Sequence, residues 1–411
     1  MLLDNLVKKV MRKRGWLTLI DADGRRHEFK ITETPHVTVR LHDKKLHTAL
    51  AFNPGLAAGE AYMDGTLTVE DADLYAFLDL VFANLGWVQP TDLGFFAGSL
   101  ARLAHYFQTR NPEKASKRNV AHHYDLSGRL YDLFLDRDKQ YSCAYFLDPS
   151  NTLEQAQLDK KTHIAAKLLL KPEHKVLDIG CGWGGMALYL NRVAGVDVTG
   201  ITLSEEQLNV ANGRIAPGQK GRVRFSLTDY RQMAGTFDRI VSVGMFEHVG
   251  APQYPTFFAK VKELLSEDGV MLLHSIGRMD GPGITNPWIR KYIFPGGYSP
   301  ALSEIVPVVE RAGLVITDIE VLRLHYAETI KNWRKRFLAN IDEIRGIYDD
   351  RFCRMWEFYL AASEVTFRYA GHANFQIQLA RRQDAVPLTR DYLYEWEHKA
   401  HEEIRESAAA E

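Results

Sequence analysis

The stretch Val176-Leu-Asp-Ile-Gly-Cys-Gly-Trp-Gly-Gly185 carries the strongest chemical signal in the chain. An apolar run of strand type enters a cluster of glycines and leaves as a helix. Glycines let a backbone turn tightly and approach a ligand with no Cβ in the way. In an open parallel sheet, ligands sit beyond the carboxyl ends of the strands. A dinucleotide site would need its third glycine three residues after the second and an acid closing the next strand. Here Gly180, Gly182 and Gly184 are spaced by two, and the next strand ends Gly200-Ile-Thr-Leu203 without an acid. That speaks against a nicotinamide cofactor. Side chains of types that do acid–base or nucleophilic chemistry occur along the whole chain, among them Cys143, Glu247, His274 and Tyr326. Taken singly, each has a plain structural reading. Glu247 could cap a helix at its positive end, His274 could be a satisfied core histidine, Cys143 a small buried residue, and Tyr326 part of the core.

The elements that must position these residues follow an alternating pattern. Helical stretches are expected at 153–170, 186–194, 205–211 and 254–265, and strands at 175–179, 197–201, 223–226, 237–243 and 269–275. Repeated strand–helix alternation implies a parallel sheet covered on both faces. Before it, residues 15–32 read as a hairpin turning at Asp23-Gly24. Short elements are expected at 37–41 and 46–52, a break at Asn53-Pro54-Gly55, and a helix over 74–85 closed by Gly86. The polar segment Arg110 to Arg118 reads as a linker. The expected organisation is therefore a small N-terminal α+β domain (1–109), a linker (110–118) and a larger α/β domain (119–411).

Composition narrows the function classes. The 411 residues are 46% hydrophobic and 25% charged with a net charge of -1, the balance of a globular protein with a sizeable core. A nucleic-acid binder would carry a basic excess. Three irregularly spaced cysteines make neither a disulfide framework nor a metal cluster and suit a reducing cytoplasm. No apolar run reaches the ~20 residues that span a bilayer, and no signal-peptide pattern is present. Residues 1–14 combine helically spaced Leu2, Leu3, Leu6, Val7, Val10 and Met11 with five basic residues. Such a helix either lies on an anionic membrane or packs on its own domain.

The glycine spacing resembles the first motif of the class I S-adenosylmethionine methyltransferases, whose fold is Rossmann-like with a mostly parallel seven-stranded sheet. The resemblance implies that Asp178 orients the glycine loop and that Asp229-Tyr230 flank the adenine. At Gly200-Ile-Thr-Leu-Ser-Glu-Glu-Gln207 the match narrows to the cyclopropane-fatty-acid synthases and mycolic-acid methyltransferases, where this segment holds the ribose. That implies ribose contacts for Thr202, Leu203 and Gln207 and accounts for the missing acid. His123-Tyr-Asp-Leu-Ser127 and Gln140-Tyr-Ser-Cys-Ala-Tyr145 are similar to the family's N-terminal catalytic segments, which places Tyr141 and Ser142 against the cofactor. Gly244-Met-Phe-Glu-His-Val-Gly250, His274-Ser-Ile-Gly277, Pro287-Trp-Ile-Arg-Lys-Tyr-Ile-Phe-Pro-Gly-Gly297 and His325-Tyr326 with Trp333 follow in order. The resemblance runs from about residue 115 to 385. Gly59-Glu-Ala-Tyr-Met-Asp-Gly65 extends it to the N-terminal part of bacterial synthases.

What the resemblance implies chemically is a transfer from S-adenosylmethionine to the cis double bond of an unsaturated acyl chain in a phospholipid. An isolated alkene is a poor nucleophile, and its attack on a sulfonium methyl leaves a carbocation. The site must align the two reactants, exclude water and place a base near the new methyl. In the family that base is inferred to be a bound bicarbonate, and the matching shell here is Cys143, Glu247, His274, Tyr326 and the amide of Ile276. Glu247 fits if it accepts the bicarbonate hydroxyl proton in a hydrogen bond. The aromatic segment Trp288, Tyr292, Phe294 and Tyr298 lines an acyl channel or packs a capping helix. Some relatives carry a cysteine near a late Phe-Arg pair; here Ser363 stands near that place before Phe367-Arg368, and Cys353 is too far upstream. This argues against a covalent cysteine. The nearest alternative is a lipid C-methyltransferase that stops at a methyl or methylene branch, and the other class is a non-catalytic lipid-binding protein. The family reading also implies a cytoplasmic enzyme peripherally attached to the inner membrane surface, a homodimer, and neither metal nor nucleic acid.

Overall fold

The computed structural model describes residues 2–86 and 126–410. The expected linker at 110–118 and the residues His123 to Asp125 lie outside the described residues.

The N-terminal part begins with α1 (Leu2–Val10), β1 (Trp16–Ile20), β2 (Arg26–Lys30) and β3 (His36–Leu41). α2 (Lys45–Phe52), α3 (Pro54–Met63), β4 (Leu67–Val69) and α4 (Leu74–Leu85) complete it. The expected hairpin forms: Trp16 pairs with Lys30 and Ile20 with Arg26, and Gly24 turns with φ +79°. β1 also pairs in parallel with β3, giving a sheet ordered β2-β1-β3-β4. Leu3 and Met11 are buried in the same cluster as Leu17, Val37, Val39 and Leu80. The apolar side of α1 is thus turned inward on its own domain. Asn53-Pro54-Gly55, read as a break, only separates two helices, because proline is well tolerated as a first helical residue.

The second part contains α5 (Gly128–Phe134), α6 (Leu153–Leu168), β5 (Lys175–Ile179), α7 (Gly185–Ala194), β6 (Asp197–Thr202), α8 (Glu205–Gly213), β7 (Val223–Leu227), β8 (Phe237–Val243), α9 (Tyr254–Leu264) and β9 (Leu265–Arg278). Then come α10 (Pro287–Tyr292), α11 (Leu302–Ala312), β10 (Val315–Leu322), α12 (His325–Ala339), α13 (Ile341–Ile347), α14 (Asp350–Tyr369), β11 (His372–Ala380) and α15 (Asp391–Ala410). The seven-stranded sheet has the order β10-β11-β9-β8-β5-β6-β7. β5 to β9 pair in parallel, and β11 runs antiparallel between β9 and β10. Consecutive strand residues point to opposite faces. Val176 and Leu272 therefore join Ile164, Leu168 and Leu190 on one side, while Leu177, Met271 and Leu273 join Phe257, Val261 and Val309 on the other. No helix among the described residues is long and apolar enough to cross a membrane.

α3 and α4 pack against α14, and α3 also against α10. Tyr62 Oη donates to Glu357 (2.8 Å), Arg351 to Asp64 (2.7 Å), and Trp288 Nε1 to the sulfur of Met63 (3.2 Å). Gly59 is what lets the two helices close: a Cβ there would stand 2.4 Å from the Trp288 indole nitrogen. Trp288 is fully buried and has nowhere to move. Gly59→Val is expected to destabilise the chain by about 1–3 kcal/mol through overpacking, seen as a lowered thermal midpoint by circular dichroism. An unchanged midpoint would mean the helices separate freely.

Candidate active site

β5 delivers the chain into the glycine loop and α7 receives it. Gly180, Gly182 and Gly184 have φ of +82°, +53° and +84°, a region L side chains seldom enter. The loop is tethered through its own backbone: the amides of Gly180 and Cys181 both donate to the Ile201 carbonyl at 2.9 Å. Asp178, expected to orient this loop, lines the cleft, with Oδ2 buried and without a partner among the described residues. Burial raises its carboxyl to about 7.

The cleft encloses about 1120 Å³, its open mouth included. Gly180, Gly182, Thr202, Leu203, Gln207, Asp229 and Tyr230 all line it, with Tyr141 and Ser142 on the facing segment. Gly184 does not. It lies behind the loop, where a Cβ would meet Phe225 at 2.7 Å and Ala211 at 3.0 Å. Its role is close packing of the helix rather than ligand contact. Thr202 Oγ1 donates to Gln207 Oε1 (2.9 Å), and Ser204 caps α8 by accepting from the Gln207 amide. The segment read as ribose-binding is thereby preformed. Asp229 is bound to Arg231 through both carboxylate oxygens (2.8 and 2.6 Å).

A second chamber adjoins the cleft, sharing Tyr141, Ser142, Gly244 and His248 with it. Cys143, Glu247, His274, Ile276 and Tyr326, which come from four separate stretches of the sequence, all line it. Their hydrogen bonding differs from the expected shell in two respects. The Ile276 amide donates to Glu247 Oε1 at 2.6 Å, so that it orients the glutamate and is not a free donor. The Cys143 thiol donates to the Ala144 carbonyl (3.3 Å), and burial pushes it far above the usual thiol range. A neutral, engaged thiol is a poor nucleophile. Glu247 Oε2 and His274 Nε2, by contrast, are buried and have no partner among the described residues. Burial raises the Glu247 carboxyl to about 7 and holds the His274 imidazole well below its usual value, hence neutral.

Several residues here escaped the sequence reading. Gln376 Nε2 lies 3.1 Å from His274 Nδ1, an amide donor that leaves the ring proton on Nε2. Asn374 lines the chamber itself. The signal was present: Asn374, Gln376 and Gln378 alternate with apolar residues from Ala373 on, in a strand buried on both faces. Of the aromatic segment, Phe294 and Tyr298 line the chamber, while Trp288 and Tyr292 pack outside it toward α3. Cys353 and Ser363 line neither cavity.

Lys160 is a further omission. Fully buried in α6, it donates to Gln140 Oε1 (2.7 Å) and Ser142 Oγ (2.8 Å), fixing the segment that walls both cavities. Burial lowers its ammonium to about 7, against the pull of Asp136. A base depressed on folding binds fewer protons in the native than in the unfolded chain, so its contribution makes stability rise as pH climbs from about 7 toward the unfolded value of 10.5. Lys160→Met is expected to flatten that rise in denaturant titrations at about pH 7 and 10. A variant that keeps the wild-type slope would remove Lys160 as its source.

A family model described as mycolic acid cyclopropane synthetase matches residues 111–377. The cyclopropane-fatty-acyl-phospholipid synthase of Escherichia coli K12 is 40% identical over 329 residues, 79% of this chain and 83% of the relative. A probable fatty acid methyltransferase of Pseudomonas putida is 33% identical over 392 residues, 90% of this chain and 94% of the relative. Among solved structures, the Mycobacterium tuberculosis cyclopropane synthase MmaA2 aligns with TM-score 0.62 at 32% identity, over 66% of this chain and all but 1% of that one (99% covered). The mycolic acid cyclopropane synthase CmaA1 complexed with SAH and CTAB aligns with the same score, identity and coverage.

Proposed function

Because the chain belongs to the mycolic acid cyclopropane synthetase family, S-adenosylmethionine-dependent methyltransferases that act on lipids, we propose that it converts the cis double bond of an unsaturated phospholipid acyl chain into a cyclopropane ring. The observation that carries this reading is the second chamber, which places an unpartnered carboxylate oxygen and an unpartnered imidazole N–H beside the cofactor cleft. When bound, S-adenosylmethionine supplies an electrophilic methyl and bicarbonate supplies a base. The π electrons of the alkene would form the new carbon–carbon bond to that methyl as its bond to sulfur breaks and S-adenosylhomocysteine leaves, with a cation left on the neighbouring chain carbon. Loss of a proton from the new methyl closes the ring, so the lipid gains one CH2.

The protein's part is placement. Gly180, Gly182 and the Thr202–Gln207 pair hold the donor, with Tyr141 and Ser142 against it. Glu247 Oε2 would hold the hydroxyl of a bound bicarbonate and His274 Nε2 would donate to its charge, with Tyr326 on the same wall. These free valences fit bicarbonate: an acceptor for its hydroxyl and a donor for its charge. Phe294 and Tyr298 present aromatic rings to the chamber, a surface that excludes water and tolerates a cation. The N-terminal unit (1–109) is proposed to dock on the cytoplasmic membrane surface and to pair subunits. Phe52 and Ile284, both exposed, support the docking. In sequence they stand just before Gly55 and Asn286, which approach each other, and Asn286 lies between Thr285 and Ile289 of the chamber lining.

Incubation with vesicles of cis-unsaturated phospholipid and labelled cofactor tests the reaction. The expected product is a fatty acid one CH2 heavier that survives mild hydrogenation. A product that takes up hydrogen would be a methylene branch, and a saturated methyl branch would be separated from the ring by its chromatographic retention. Several relatives are named as methyltransferases, including a tuberculostearic acid methyltransferase of Mycobacterium tuberculosis, which makes this distinction the decisive one. Co-sedimentation with the vesicles reads docking and light scattering reads pairing; a protein left in the supernatant, or of monomer mass, would sink the respective proposal.

A further inference from the structure

The second chamber contains one more polar atom that the protein leaves unsatisfied. Asn374 is 1% exposed, lines the chamber, and its Nδ2 has no partner among the described residues. A buried amide donor without an acceptor is costly, and natural structures keep few of them. β11 sets it there by register. Asn374 pairs across from Ile276, and Gln376, two residues on and so on the same face, pairs across from His274. Gln376 spends its amide on His274 Nδ1 and leaves Nε2–H toward the chamber. The Ile276 amide is consumed by Glu247.

The unsatisfied set is therefore two donors, His274 Nε2 and Asn374 Nδ2, and one acceptor, Glu247 Oε2. A small planar anion bearing a single hydroxyl matches it: two oxygens accept and the hydroxyl donates. Formate or nitrate, with no hydroxyl, would set lone pairs against the glutamate. We propose that Asn374 is an anion-binding residue of this chamber, donating its Nδ2–H to an oxygen of bicarbonate in the place the Ile276 amide does not fill. This rests on the bicarbonate reading given above.

The test is titration of 13C-bicarbonate into the full chain loaded with S-adenosylhomocysteine, followed by NMR, for wild type, Asn374→Leu and Asn374→Asp. Turnover against bicarbonate in carbon-dioxide-stripped buffer runs beside it. Saturable binding in wild type and an apparent Kd raised roughly tenfold or more in both variants is expected, the loss of one hydrogen bond to a charged group. The affinity for S-adenosylhomocysteine should stay unchanged, since Asn374 does not line that cleft. Wild-type Kd in the variants would overturn the role of Asn374 while leaving bicarbonate in place. No bicarbonate binding by wild type would overturn both. If the leucine variant does not fold, the near-isosteric aspartate variant, which replaces a donor by an acceptor, decides alone.

Discussion

Glu247→Gln is expected to bind S-adenosylmethionine within a few-fold of wild type and to lose about 10²–10⁴ in turnover, the range that removal of a positioned acid–base partner costs. The substitution is nearly isosteric. Its carbonyl can keep the bond from the Ile276 amide, so the local backbone has no reason to move. What changes is the other end. Oε2, an acceptor, becomes an NH2 donor, and the chamber is left with donors alone and nothing to receive a hydroxyl proton. Glu247 lies outside the cofactor cleft, so donor affinity is insulated. Single-turnover transfer of a labelled methyl, with isothermal titration as the binding control, measures both quantities. Near-wild-type turnover would mean that the base is held by other groups. The pH dependence follows from the same burial. With its carboxyl raised to about 7, Glu247 gains its charge as pH passes through neutrality, so wild-type turnover at fixed bicarbonate concentration should rise across that range. Stability runs the other way: the native chain holds a proton that the unfolded chain releases near 4.5, so this group's contribution falls as pH rises from there to about 7.

Gly180→Val should be the most damaging change at the donor site. The residue combines φ +82° with a Cβ position 2.7 Å from Met245 Cβ. The first cost, about 1–2 kcal/mol, is backbone strain, and the second, about 1–3 kcal/mol, is overpacking. Relief requires the loop to move off Met245 and therefore into the space that the donor occupies. We expect an affinity for S-adenosylmethionine at least tenfold weaker together with reduced stability. Gly182→Ala is the control. Its φ is +53° but nothing stands within 4 Å of the new Cβ, so it should pay strain alone and keep more of its affinity. Equal losses in both variants would mean that backbone conformation, not the Met245 contact, sets the loop.

Much of this was legible in the order of residues because it depends on local pattern. Strand–glycine–helix at 176–185, the helix expected over 205–211 and the Asp23-Gly24 hairpin are each set by neighbours a few positions apart. Features governed by distant pairing were not. Gly184 carries the same spacing as Gly180 and Gly182, yet it packs under Phe225. Whether a loop glycine faces ligand or core is fixed by the strand two positions over in the sheet. The Ile276 amide is likewise taken by a residue 29 positions away. Gly59 makes sense only against Trp288, more than two hundred positions later. Asn374 and Gln376 were visible as polar letters in an apolar strand, but their meaning needed the antiparallel register of β11 against β9.

That register also imposes an order of events on a chain made from its N-terminus. Every residue lining the donor cleft has been added by Val249. The adjoining chamber draws on His274, then Tyr326, then Asn374, and the His274 ring is oriented only when Gln376 arrives. β11 is moreover the wedge between β9 and β10, so the far edge of the sheet has nothing to pair with until it is inserted. On the ribosome, where about 5–20 residues emerge each second, the growing chain holds every residue found lining the cleft many seconds before the adjoining chamber is complete. The last strand to enter the sheet is the one that finishes the proposed reaction chamber.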